Sequence, residues 1–124
     1  MNTPEISIET YPRFEPDQSM IKKGKWFFSY HIVIKNLGDE PCQLLSRRWL
    51  ITDSNGQKQE VVGDGVIGQQ PTISQGGEYS YTSGCLLETP VGTMEGHYVM
   101  CTKDGETFNA PIAPFLLAMP GSIN

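Results

Sequence analysis

The stretch Trp26-Phe27-Phe28-Ser29-Tyr30-His31-Ile32-Val33-Ile34-Lys35-Asn36 decides how this chain folds. Its even positions, Trp26, Phe28, Tyr30, Ile32 and Ile34, form an unbroken apolar row, while the odd ones, Phe27, Ser29, His31, Val33 and Lys35, are mixed. Successive side chains of a strand point to opposite faces, so this pattern predicts a half-buried strand with its even side on a core. A helix needs apolar residues recurring at three- and four-residue steps, and no window of twelve residues in the chain offers that convincingly. The best helical stretch, Glu15 to Lys23, has Pro16 near its start and Gly24 beyond its end, enough for one or two turns.

Working outward, Asn36-Leu37-Gly38-Asp39-Glu40-Pro41 is turn chemistry, because Gly permits positive φ and Pro cannot donate to a ladder. Cys42 to Asp53 reads as the next strand with two competing inner faces. The odd positions offer Leu45, Trp49 and Ile51, with Arg47 among them, and the even ones Leu44 and Leu50. Trp49 buries the most area, so the odd side is the predicted core face. Asp53-Ser54-Asn55-Gly56 predicts a hairpin, Asn-Gly suiting the primed turns, with Gln57 to Val62 returning as an exposed polar strand. A loop from Gly63 to Pro71 follows, then short strands at Thr72-Ile73, Glu78 to Ser83, around Met94, Tyr98 and Met100, and at Thr107 to Ile112. Phe115 to Met119 makes a last edge strand, and Ile6, Ile8 and Thr10 supply the first. Eight or nine short strands, with 22 Gly and Pro among 124 residues, predict a single domain over residues 1–124, an all-β two-sheet antiparallel sandwich.

Nine Lys and Arg against fourteen Asp and Glu leave a net charge of −5. Nucleic-acid binders draw most of their affinity from a basic stripe. Here Lys22, Lys23 and Lys25 flank a loop glycine, and Arg47 and Arg48, neighbours on a strand, point to opposite faces. Direct contact with DNA or RNA is therefore not expected. No run of apolar residues is long enough for a membrane-spanning helix. Three cysteines, Cys42, Cys85 and Cys101, leave at least one unpaired, and Met1-Asn2-Thr3-Pro4-Glu5 lacks the basic and apolar regions of a secretory signal. Both point to the cytoplasm and reduced thiols.

Three segments carry a family resemblance. Gln43-Leu44-Leu45-Ser46-Arg47-Arg48-Trp49 with Ile51-Thr52-Asp53 comes first, and Gly63-Asp64-Gly65-Val66-Ile67-Gly68-Gln69-Gln70-Pro71 second. The third runs from Tyr81-Thr82-Ser83-Gly84-Cys85 through Thr89-Pro90-Val91-Gly92-Thr93-Met94-Glu95-Gly96-His97-Tyr98. In that order and spacing the chain, from about Ile6 to Met119, closely resembles the bacterial ApaG (CorD) proteins. The resemblance implies a β-sandwich of the fibronectin type III or immunoglobulin-like kind. It also implies a genetic association with cobalt and magnesium handling, and a protein-binding role like that presumed for the same domain in larger eukaryotic proteins. It brings no agreed catalytic residues.

Gly63-x-Gly65-x-x-Gly68 matches the dinucleotide fingerprint in form. That fingerprint needs a helix opening after the last glycine, to present amides and a dipole to pyrophosphate. Only two residues separate Gly68 from Pro71, so a nest of backbone amides is the remaining route to an anion. Ser83-Gly84-Cys85 offers a thiol, but no base is fixed beside it by spacing, and it reads as a small buried cysteine at a strand bend. His97 and Cys101 share a strand face roughly 13 Å apart, too far for one ion unless His31 joins them across strands. No metal site and no cofactor are expected. Phe27 and Val33, on the outer side of their strand, are candidates for a partner surface or homodimer seam. Trp49, Tyr79 and Tyr81 pose the same choice, with core packing the default. The proline-punctuated stretch Pro111 to Pro120 is a candidate edge for an added strand. The expected function is a non-enzymatic cytoplasmic binding module for a protein partner, its link to cobalt and magnesium indirect. The alternative is an anion or nucleotide binder using Gly63, Gly65 and Gly68.

Overall fold

The alternation in Trp26–Asn36 is realised as the central strand of a three-stranded sheet. The computed structural model describes residues 4–122; Met1-Asn2-Thr3, part of the stretch read for a leader, lies outside the described residues, as do residues 123–124. The strands are β1 (Ile6–Phe14), β2 (Trp26–Asn36), β3 (Cys42–Asp53), β4 (Lys58–Asp64), β5 (Thr72–Ile73), β6 (Glu78–Leu87), β7 (Val91–Thr102) and β8 (Thr107–Ala118). All pairings between strands are antiparallel. One sheet has the order β1-β2-β6; the other has the order β4-β3-β7-β8, with β5 joining β3. The helical candidate resolves into two single 3₁₀ turns, Pro16–Gln18 and Ile21–Lys23, the second stopped by Gly24 at φ 72°.

Phe28, Ile32 and Ile34 are fully buried from β2, and they meet Leu44, Met94, Tyr98, Met100 and Leu117 from the facing sheet. Two tyrosines tie the layers: the hydroxyls of Tyr81 (β6) and Tyr98 (β7) meet at 2.5 Å in the core. Asn36, also fully buried, donates to the carbonyls of Glu40 and Ile73 and accepts the N–H of Gly38. It thereby joins the β2–β3 turn to β5 and leaves none of its polar atoms idle.

Strand β3 resolves the two-face ambiguity by using both faces. Cys42 and Leu44 are buried on even positions, and Trp49 and Ile51 on odd ones, while Leu45 is only half-buried. The register against β7 slips between Leu44 and Ser46. One extra residue turns every later side chain to the other side of the sheet. The predicted odd face therefore holds for Trp49 and Ile51 and fails for Leu45.

Two turns exchange their expected chemistry. Asn55-Gly56 does not form a primed turn, since only Gly56 has positive φ, at 80°. The Asp53 carboxylate accepts the N–H groups of Asn55 and Gln57, which favours an unprimed turn with a glycine bulge. The primed geometry falls instead on Ile67-Gly68, at φ 47° and 71°, with Val66 and Gln69 exchanging both backbone bonds around them. A β-branched residue is strained there, and Ile67 is 59% exposed, so little packing offsets the strain. Left-handed backbone costs an L-residue about 1–2 kcal/mol, and glycine gives back roughly 0.5–1 kcal/mol through its freer unfolded chain. Ile67→Gly is therefore expected to raise the melting temperature by about 2–5 °C; a lower melting temperature in calorimetry would show that Ile67 is held by packing.

Candidate functional site

The two sheets close on one side and stay open on the other. Strand β1 packs against β8, and both carry prolines, Pro12 in β1 and Pro111 and Pro114 in β8. On the opposite side β6 and β4 are the margins of their sheets, and a cleft of about 550 Å³ lies between them. Tyr30, Trp49 and Ile51 line it together with Arg47, Lys58 and Ser83 through Glu88. The Tyr30 and Trp49 rings meet edge to face, 5.5 Å apart.

Arg47 enters the cleft because the β3 bulge gives it the parity of Trp49 and Ile51. Its Nη1 donates to the carbonyls of Asp64 and Gly65, at 3.1 and 2.9 Å. The guanidinium lies across Gly63, where a Cβ would come within 2.9 Å of it. Nε and Nη2 are left without a protein acceptor among the described residues. Arg48, its neighbour, points the other way and pairs with Glu60. The carboxylates bordering the cleft are engaged: Glu88 with Lys25 at 3.1 Å, and Asp53 with its two turn amides.

The three glycines of the fingerprint do separate things. Gly63 belongs to β4, which runs through Asp64 instead of ending at Val62. Gly65 donates its N–H to the carbonyl of Leu45, the bulged residue, and the Gln70 side chain donates to the same oxygen. Val66 is buried in the core, and Gly68 sits at the exposed tip of the primed turn, with open space around it. No helix follows; the next element is the two-residue β5. This loop satisfies the backbone of the bulge in β3, a duty that its composition did not disclose.

Cys85 faces inward, its Sγ 3.8 Å from the Met94 sulfur. Burial pushes its thiol up to about 12, far from the thiolate a nucleophile needs. Burial likewise raises Tyr81 and Tyr98, and Tyr30 beside Ser83. On the outer side of the three-stranded sheet, the Phe27 ring lies over Gly84, where a Cβ would come within 2.5 Å of it. Val33 stands in register with Glu9 and Ser80. Between them come Ser29, bonded to Glu15, and His31, bonded to Thr82, so Phe27 and Val33 form no continuous patch. His31 belongs to β2 and His97 to β7, strands of different sheets, and both side chains point away from the core. Tyr81 and Trp49 are core residues and Tyr79 is half-buried. Pro111 and Pro114 sit within β8, one continuous twelve-residue edge strand where two were expected. Sequence reasoning missed the cleft and Arg47's place in it. The available signal was that Arg47 shares the parity of Trp49 and Ile51.

A family model described as ApaG domain matches residues 16–102. The Protein ApaG of Photobacterium profundum is 48% identical over 121 residues, spanning 98% of this chain and 95% of its own. That of Sodalis glossinidius is 45% identical over 124 residues, 100% and 99% of the two chains. Among solved structures, an ApaA protein from Bordetella pertussis superposes with a TM-score of 0.93 at 44% identity, over 96% of this chain and 97% of that one.

Two measurements check this geometry. A Cβ at Gly65 would sit 2.2 Å from the Gln69 carbonyl at φ 61°, whereas one at Gly68 would meet nothing at φ 71°. Gly65→Ala is expected to cost about 3 kcal/mol or more and Gly68→Ala about 1 kcal/mol; equal losses in urea melts would contradict the loop's role at the bulge. The Cys85, Tyr81 and Tyr98 protons are held more tightly in the folded chain than in the unfolded one, where these groups titrate near 9.0 and 10.0. Their stabilising effect is complete below pH 9 and is lost as pH rises above it, so urea midpoints are expected to fall between pH 9 and 11. Cys85→Ala is expected to reduce the first part of that fall, which it shares with Cys42, likewise raised by burial; an unchanged profile would place the Cys85 thiol in water.

Proposed function

This chain belongs to the ApaG domain family, and on that premise we propose that it is a non-enzymatic module that engages another protein in the cytoplasm. The observation carrying this reading is the open side of the sandwich. Of the four sheet margins, β1 and β8 hold prolines and pack on each other, and β4 holds Lys58, Glu60 and Asp64 within seven residues. Prolines and charges are how sheet margins are kept from pairing with other chains. Strand β6 has ten residues, no proline, and one charged residue, Glu78, at its start. It borders a cleft with an aromatic floor.

The non-enzymatic part rests on the chemistry within reach. The Cys85 thiol stays protonated at neutral pH, and the two imidazoles lie on the outsides of different sheets, away from it and from each other. Among the described residues no group of three or more His, Cys, Asp or Glu could hold a metal ion, and no helix is long and apolar enough to cross a membrane. The cobalt and magnesium association implied by the resemblance then acts through the partner. The nucleotide reading of Gly63, Gly65 and Gly68 has less support, because the Gly65 amide is committed to Leu45 and the Arg47 guanidinium covers Gly63.

Lysine crosslinking with mass spectrometry in living cells tests the reading. Crosslinks to another protein are expected from Lys58 and Lys25 at the cleft, and not from Lys35 on the outer face of β2 or Lys103 in the β7–β8 turn. Crosslinks confined to Lys35 and Lys103 would overturn it. So would shifts of the Gly63, Gly65 and Gly68 amides on titration with ATP or pyrophosphate, which would favour the nucleotide reading.

A further inference from the structure

We propose that the open side accepts an extended acidic peptide, which adds a strand to β6 and places a carboxylate side chain on Arg47 and Lys58. The inference deepens the protein-binding reading and rests on it; what it adds is the form and charge of the partner segment.

The form follows from the edge. A strand margin exposes a row of unpaired N–H and C=O groups, and an incoming extended chain satisfies them with its own backbone. Ser83 to Leu87 of β6 also line the cleft, so a strand added there runs along the cleft mouth. Alternate side chains of such a strand turn inward and the others outward. The inward ones meet the Tyr30 and Trp49 rings and the Arg47 guanidinium.

The charge follows from which groups are already paired. The protein carries −5 overall, and two cations, Arg47 and Lys58, line the cleft with two carboxylates, Asp53 and Glu88, so what decides its charge is which of the four are already engaged. Lys25 and Glu88 satisfy each other, and Asp53 is held by its turn amides. Lys58 has no ion-pair partner among the described residues, and both Arg47 bonds use Nη1 on neutral carbonyls. A guanidinium with two free nitrogens presents the planar fork that carboxylates accept, and an ammonium beside it adds a second positive charge. A basic side chain in the same place would face Arg47 and Lys58, with both nearby carboxylates already engaged.

The test uses the full chain and three fluorescein-labelled nonapeptides of alternating threonine and valine, with a central glutamate, glutamine or lysine. The glutamate peptide is expected to bind about tenfold more tightly than the glutamine one, and the lysine peptide more weakly still. Amide exchange should slow along Tyr79–Leu87 on binding. Lys58→Gln, an exposed change that leaves the fold intact, and Arg47→Gln should each narrow the glutamate-to-glutamine ratio without weakening the glutamine peptide. Equal binding of all three peptides would overturn the acidic preference and leave the protein-binding reading standing. Protection along Lys58–Asp64 in place of β6 would overturn the edge assignment. Failure of every peptide, with cellular crosslinks at Lys58 intact, would show that the partner is a folded surface and not an extended segment.

Discussion

The extra residue at Leu45 lets a single strand fill the core twice, with Cys42 and Leu44 on one parity and Trp49 and Ile51 on the other. A bulge leaves backbone groups without ladder partners, and here the remedy is local. The Leu45 carbonyl takes two donors from the segment that follows β4, the Gly65 amide and the Gln70 side chain, while Leu44 donates to Pro71. The glycine-rich loop, the burial of Val66 and the short β5 all follow from that need. The bulge also brings Arg47 to the inner side, between the tyrosines and the open margin.

The strand alternation of β2 was legible because nothing interrupts it: an eleven-residue stretch with one face apolar has only one way to sit on a core. Strand β3 was not legible as a whole, because a bulge leaves no mark on composition and makes both parities partly right. Both faces were visible as candidates, and picking one lost Leu44 and Cys42 from the expected core. The hairpin at Asp53 was found but its turn type was not, because the Asp53 side chain outweighed the backbone preference of Asn-Gly. Length was misjudged at β8, where Thr107 to Ile112 and Phe115 to Met119 read as two strands and are one. On an edge a proline need not break anything, since the missing N–H can face outward.

The open side of the molecule was beyond a single-sequence reading for a different reason. A cleft between β4 and β6 depends on which strands finish at the margins of two separate sheets, a long-range fact with no local pattern. The glycine fingerprint was legible as a pattern and misleading as chemistry. Gly65 is needed where its missing Cβ makes room for the Gln69 carbonyl, and Gly63 where Arg47 lies flat across it. Gly84 has the same logic under Phe27. In each case glycine gives room to a neighbour.

The prolines of β1 and β8 bear on what happens when this protein is crowded. With one flank sealed, copies that meet through the other flank satisfy each other face to face and have nothing left to offer a third. Growth stops at a pair, so a sandwich with a receptive margin still has no route to a fibre.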